Sequence, residues 1–211
     1  TLVTGNAPGN DMRFYWERVE ANRNFANKVW NASRFIMMNL EKANLEETID
    51  KELLTQADRW IISKANTLVK EVTENLETFE LGIAASKIYD FIWEEFCDWY
   101  IEMVKPRLYN DEDDTKAAAL WTLNHVLIKS LKLLHPYMPF VTEEIFCTLQ
   151  EMTGLKEEDS IMICSWPTFN PDQDFTKDTE SIELIKAAVK GIRNVRSEMN
   201  VPPSRKAAVF V

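Results

Sequence analysis

Along most of this chain, apolar residues return at the three- and four-residue spacings of a helix, and long stretches lack the residues that break one. Residues 1–10, with two glycines and a proline, read as a strand end or loop. Phe14, Val19, Phe25, Val29, Ala32, Ile36 and Leu40 then predict a helix from about Met12 to Leu40. A polar break over Asn44 to Ile49 precedes a second helix, about Asp50 to Phe79. Its buried stripe would be Leu53, Ala57, Trp60, Ile61, Leu68, Val72 and Leu76, with Asp50 as N-cap. Gly82 marks the next turn. A third helix, about Ile83 to Tyr109, is apolar on several faces, which places it centrally, and Pro106 should kink or end it.

The acidic run Asp111 to Asp114 suits the positive end of the helix that follows, about Thr115 to Leu134, with Leu120, Leu123, Leu127, Leu131 and Leu134 on one side. His135 to Pro139 breaks it, and Phe140 to Met152 resumes as a short helix. Residues 154–177 read as irregular, with Ile161-Met162-Ile163 as a short strand. A last helix, about Thr179 to Glu198, ends before Pro202-Pro203, and Ala207 to Val211 has strand character. These elements add up to a mainly all-α fold, an antiparallel bundle of long helices with a small mixed α/β annex at the C-terminal end. The expected units are 1–11 as a tail, 12–153 as the bundle and 154–211 as the annex.

Composition supports this, since 45% of residues are hydrophobic, 11% are aromatic and only 5 are glycine. Trp60, Trp93, Trp99 and Trp121 fall within the helical patterns and read as core or inter-helix packing. No apolar run approaches the roughly 18 residues of a membrane helix. The three cysteines, Cys97, Cys147 and Cys164, form neither a disulfide framework nor a metal cluster, which fits a reducing, cytoplasmic setting. An opening of Thr-Leu-Val-Thr-Gly, without Met, points to a segment of a longer polypeptide.

A net charge of -10 argues at first against nucleic acid, but its distribution changes the picture. Residues 71–114 hold thirteen acids against Lys87, Lys105 and Arg107, a surplus equal to the net charge of the whole chain. The remainder is neutral overall and carries local basic stripes, which can act within a Debye length of about 8 Å. One runs through Arg13, Arg18, Arg23, Lys28 and Arg34 on the first helix. Another holds Lys186, Lys190 and Arg193, with Arg196 nearby and Arg205-Lys206 beyond. A solvated helix face is the plainer reading of either; as phosphate contacts, Lys190, Arg193 and Arg196 would add salt-sensitive affinity. Reading a base needs amide and aromatic groups among the cations, and Asn24, Asn27, Asn31 and Phe35 supply them on the first helix.

Covalent chemistry finds no support. Asp90, Glu94, Asp98 and Glu102 form an i, i+4 acidic ridge, but neither His125 nor His135 completes a Glu-x-x-His metal motif, so a solvated face is the simpler reading. His135, before a proline at a helix corner, reads as structural. No Gly-x-Ser-x-Gly elbow and no Gly-rich phosphate loop is present. No catalytic residue and no metal ligand is assigned.

Several strings are similar to valyl-tRNA synthetases, which are class I aminoacyl-tRNA synthetases. Thr4-Gly5-Asn6-Ala7-Pro8-Gly9-Asn10-Asp11-Met12-Arg13-Phe14 resembles the segment leaving their catalytic domain, and Asn24 to Phe35 resembles their anticodon-side helix. Glu94 to Glu102 with Lys105-Pro106-Arg107-Leu108, His135 to Phe146, and Ser165-Trp166-Pro167 resemble patterns shared with the isoleucyl and leucyl enzymes. Ile192 to Pro203 looks valyl in particular. The resemblance covers essentially the whole chain.

It implies a helical bundle that docks the anticodon stem-loop of a tRNA accepting valine, with the middle and third anticodon bases as identity elements. By motif position Lys28, Arg34 and Phe35 would be loop contacts, Phe35 stacking a base and Lys28 bonding a base or phosphate, with Arg18 a further candidate. The second basic stripe lies toward that family's C-terminal arm and gains no anticodon role from the likeness. ATP with Mg would serve the parent enzyme's catalytic domain, since the HIGH and KMSKS motifs and the editing domain are missing here, and these residues would hold no cofactor. Partners would be the tRNA and the parent's catalytic and C-terminal domains, with no DNA and no membrane. The rivals are the same module of an isoleucyl or leucyl enzyme, a helical protein-binding scaffold, and a helical-bundle metalloenzyme.

Overall fold

The computed structural model describes residues 14–41, 43, 45–202 and 204–206. The expected loop over 1–10 and strand over 207–211 lie outside them. Among the described residues seven α-helices are formed: α1 (Trp16–Leu40), α2 (Gln56–Glu77), α3 (Leu81–Asp90), α4 (Ile101–Leu108), α5 (Lys116–Leu134), α6 (Pro139–Thr153) and α7 (Thr176–Glu198). A π-helical segment, Phe91–Tyr100, joins α3 to α4, so 81–108 is one continuous rod. It runs antiparallel to α2, as the contacts Glu71–Lys87, Lys64–Glu95 and Asp58–Arg107 show. α1 lies beside the rod and points the same way, with Phe25 against Tyr89 and Lys28 against Asp98.

The core is apolar and continuous, centred on Trp60, Phe96, Tyr100, Leu123, Leu131 and Phe146. α2 shares the central place expected of the third helix, because it packs against α3, α5, α7 and the π segment. The irregular stretch after α6 is pinned to α2 by side chains replacing absent backbone partners. Asn66 donates to the Asn170 carbonyl and accepts from its N–H, both at 2.8 Å, and Ser63 Oγ accepts from Phe175 N.

Three expectations change. Asp50 caps only a 3₁₀ turn, Lys51–Leu53, in which Leu53 is exposed; α2 begins later, behind Thr55. Thr55 and Asp58 form a reciprocal capping box there, which gives that start the better-satisfied donors. The turn expected at Gly82 falls at 78–80 instead, with Phe79 left-handed (φ 61) and Glu80 N bonding to Asn75 O, so Gly82 lies inside α3. Ile161–Ile163 is a 3₁₀ turn and not a strand. The Glu143 carboxylate takes Ile161 N–H at 3.2 Å and Ser160 Oγ takes Met162 N–H at 3.2 Å, so side chains satisfy the donors a ladder would use. No strand occurs among the described residues.

One polar cluster gathers around a buried carboxylate. Asp58 is buried at the start of α2, where Arg107 Nη1 and Nη2 donate to its two oxygens at 2.8 and 3.0 Å. Tyr100 donates its hydroxyl at 2.6 Å, and Thr55 donates N–H and Oγ–H at 2.8 Å each. Arg107 also donates to Thr115 Oγ1 and O, at the entry to α5. Removing one partner of such a pair strands the other's charge, which costs about 3–5 kcal/mol. Asp58→Ala should therefore lower the unfolding free energy by about 3–5 kcal/mol and Tyr100→Phe by about 1 kcal/mol, both read by urea denaturation. A loss below about 1 kcal/mol for Asp58→Ala would show that the cluster is incidental.

A second consequence concerns pH. Burial, reinforced by the Lys129 and Lys132 ammoniums, pushes the His125 imidazole down to about 3. The unfolded chain binds this proton below about pH 6.5 and the folded chain does not, so stability falls as pH drops through that window. Between pH 7 and pH 5 this group alone should remove about 2 kcal/mol, and His125→Gln should lack that increment in parallel urea titrations. Superimposable pH profiles of the two proteins would overturn the assignment.

Candidate nucleic-acid interface

The faces of α1 follow from its spacing. Phe25, Val29, Ser33, Ile36 and Leu40 are buried, and Asn27, Trp30, Asn31, Arg34 and Met38 point away from the core. At about 100° per residue, Asn24, Lys28, Asn31 and Phe35 share one side of α1, a flank where Lys28 and Phe35 meet the rod 81–108 and the exposed Asn24 and Asn31 form the outer edge. These four lie along one side of α1, and Arg34 stands about a quarter-turn or more round the helix, on the solvent face. Arg34 and Asn31 are exposed, and Arg34 makes no ion pair among the described residues. Phe35 is half-buried against the core, with the Lys105 ammonium 5.8 Å from its ring centroid.

Lys28 is held from two sides. Its ammonium donates to Asp98 Oδ1 at 2.6 Å and stands 3.8 Å from the Trp93 ring centroid. Trp93 and Asp98 are five residues apart, a spacing that in an α-helix would put them on different faces. Within the π segment, where the repeat is i to i+5, they fall about one turn apart on one face. Sequence reasoning missed both as neighbours of Lys28, because no α-helical periodicity pairs them.

Arg18 is elsewhere. It sits ten residues before Lys28, about 15 Å along the axis, on the azimuth of the buried stripe, with its guanidinium 5.5 Å from the Tyr15 ring centroid. The structure does not bring it to the flank.

The second stripe is partly structural. Lys186 is buried, 3% exposed, and does not share an open face with Lys190 and Arg193. Its ammonium bonds Glu95 and Glu183 and lies over Trp60 and Trp99. Burial alone would push the Glu183 carboxyl up, but donation from Lys186 and the Trp60 indole, with Lys64 close by, holds it below its ordinary value. Arg193 stands 5.7 Å from the Trp99 centroid. Arg196 Nη2 donates to the carbonyls of Pro202 and Arg205, fixing the end of α7. Lys190 is exposed, without an ion pair among the described residues.

The acidic ridge is not continuous. Asp90 and Glu94 line a cleft of about 250 Å³ with Lys64, Lys87 and Glu95, whereas Asp98 and Glu102 pair with Lys28 and Lys105. The change of helical repeat within Phe91–Tyr100 divides them. No group of three or more His, Cys, Asp or Glu among the described residues is placed to hold a metal ion. Cys97, Cys147 and Cys164 are free thiols, and burial pushes Cys97 up to about 12, which keeps it unreactive. His135 Nδ1 is 2.7 Å from Thr142 Oγ1, a structural contact at the α5–α6 corner.

Comparison with known proteins identifies the family. Residues 58–211 match the family described as the anticodon-binding domain of tRNA ligase. The valine–tRNA ligase of Clostridium tetani is 52% identical over 210 residues, covering 100% of this chain and 23% of that protein. That of Clostridium acetobutylicum is 53% identical over the same length and also covered to 23%, and that of Bacillus anthracis is 42% identical over 210 residues. The chain thus spans about a quarter of the length of these relatives. A crystal structure of LeuRS from Agrobacterium radiobacter K84, in a ternary complex with tRNA and LeuAMS, has a TM-score of 0.53. It is 20% identical, covers 77% of this chain and 18% of its own, and shares the helical fold. The family match takes in most of the chain, and this protein belongs to the anticodon-binding domain family of tRNA ligases.

Proposed function

We propose that these residues are the anticodon-recognition module of a valine–tRNA ligase, docking the anticodon stem-loop of a tRNA that accepts valine. The observation that carries the reading is α1 itself, which sets Lys28, Asn31 and Phe35 along one side of the helix and Arg34 on the adjoining solvent face, in a chain 52% identical, over its whole length, to such a ligase. Each residue has a distinct task. Phe35, half-buried and rigid, offers a ring face to one unstacked base. Lys28 donates to a base edge or phosphate, Asn31 offers donor and acceptor to a base, and Arg34 neutralises the loop backbone. Arg18, about 15 Å away along α1, would meet a phosphate apart from the base that Lys28 contacts. Lys190, Arg193 and Arg196 supply further phosphate contacts.

The whole ligase would act in the cytoplasm and join valine to tRNA at the expense of ATP with Mg. The part proposed for these residues is recognition of the tRNA. Their contribution is selection: binding energy from anticodon contacts is available only to the matching tRNA.

The test is fluorescence anisotropy of a labelled valine-accepting tRNA with the intact protein that carries this chain. Changing the middle anticodon base, Lys28→Ala and Phe35→Ala should each weaken binding by about 1–3 kcal/mol. Raising salt should weaken all the complexes, with a shallower slope for Lys28→Ala if Lys28 meets a phosphate. Binding indifferent to the anticodon and to both substitutions would refute the reading.

A further inference from the structure

The Lys28–Asp98 pair raises a difficulty for a site that binds RNA. A carboxylate placed among the base-contacting groups repels phosphate, and mutual pairing spends the lysine's charge. Asp98 nevertheless stays half-exposed, its side chain 51% accessible, while Lys28 is 23% accessible. The pair is open at the surface. Only Oδ1 is used by Lys28, and Oδ2 has no partner among the described residues. Trp93 lies beneath the lysine, which fixes the ammonium and through it the carboxylate. The result is a donor held beside an acceptor, one helix turn from Asn31 and two from Phe35.

We infer that Asp98 reads a base. Resting on the anticodon assignment above, the inference makes Asp98 a specificity-determining residue whose free Oδ2 accepts from the exocyclic amine of an anticodon base. Lys28 donates to the neighbouring ring nitrogen or carbonyl of the same edge. An adjacent donor and acceptor fit adenine (N6 amine beside N1) and cytosine (N4 amine beside N3). Guanine and uracil carry the reverse order, a carbonyl oxygen beside a ring N–H, so in the register that seats an amine on Oδ2 their oxygen would face a carboxylate. An acid accepting from the cytosine amine is an established pairing in nucleic-acid recognition. Valine codons begin GU, so the middle and third anticodon bases of the matching tRNAs are adenine and cytosine, both of the amino type. Arg34, exposed near the flank and without an ion pair among the described residues, offsets the repulsion between Asp98 and the backbone.

A cycle between side chain and base atom tests this. Anisotropy is measured with the intact protein and three tRNAs: the parent, one with purine replacing the middle adenine, and one with 2-pyrimidinone replacing the third cytosine. Each replacement deletes only the amine. For the unsubstituted protein, one of the two deletions should weaken binding about tenfold. For Asp98→Ala the parent tRNA should bind about tenfold more weakly, and the same deletion should then change nothing further. Asp98→Asn, which keeps an acceptor oxygen of the same reach, should recover part of the sensitivity. Thermal melts confirm that the variants fold.

If Asp98→Ala weakens all three complexes by one common factor, Asp98 merely holds Lys28 in place and the inference fails. It fails equally if Asp98→Ala tightens binding, since the carboxylate would then only compete with RNA for the lysine. In both cases a middle-base change, Lys28→Ala and Phe35→Ala still weaken binding, so the anticodon assignment survives. If those three are silent, that assignment itself is wrong.

Discussion

The doubly hydrogen-bonded Arg107–Asp58 ion pair sets the frame on which the other contacts depend. It joins the first turn of α2, the end of the rod 81–108 and the entry to α5 through Thr115. A buried pair of this kind gains little net stability over a well-packed apolar one, because desolvation offsets the attraction. Its geometric demand is what matters here. Two parallel N–H···O bonds, a tyrosine hydroxyl and a threonine cap converge on one carboxylate, and sliding the rod along α2 by a single residue would break them together. The axial register of 81–108 is set at this end.

From that register the π segment takes its meaning. A π turn is a costly way to continue a helix and persists where the surroundings hold it from several sides. Tyr100, its last residue, is tied to Asp58; Glu95 is tied to Lys64 and Lys186; Asp98 and Trp93 are tied to Lys28. Side chains therefore leave it in two directions. One set meets α1 and shapes the proposed base-reading flank, and the other meets α7, where Trp99 lies under Lys186 and Arg193. One cation of the first stripe, Lys28, and two of the second, Lys186 and Arg193, are thereby anchored to the same ten residues, and a change of register there would displace all three.

How much of this was legible in the sequence follows from the range of each interaction. The long helices were readable because their apolar spacing is local: α5 and α6 begin and end within about a residue of where the pattern places them. Failures came where a distant side chain decides. Thr55 prevails over Asp50 as the cap of α2 because Asp58 also has Arg107 to hold, a partner 49 residues away. Ile161–Ile163 has the composition of a strand, yet Glu143 takes its first donor before a ladder could form. Lys186 shares a helical spacing with Lys190, but Glu95 and Trp60 draw it inward. In the proposed site, Lys28, Arg34 and Phe35 came from likeness of motif, whereas Asp98 and Trp93 required the π repeat, which spacing alone does not announce.

The charge of the chain then takes on a different sense. A net charge of -10 opposes long-range attraction of RNA, but the opposition is screened beyond about 8 Å and local pairing governs contact. The acids nearest the α1 flank, Asp98 and Glu102, are each spent on a lysine of that region. Such an arrangement is poor at gripping any phosphate backbone indiscriminately, since each lysine has a carboxylate to satisfy first. It suits discrimination better. Cations alone bind every tRNA, while a cation fixed beside an acid rewards only a base edge that satisfies both, and the wrong edge leaves a polar group facing its like. In the proposed site, affinity for the backbone would be given up in exchange for selectivity at the base. That trade favours a module that must tell one tRNA from many chemically similar ones, and other contacts along the tRNA can supply the affinity forgone here.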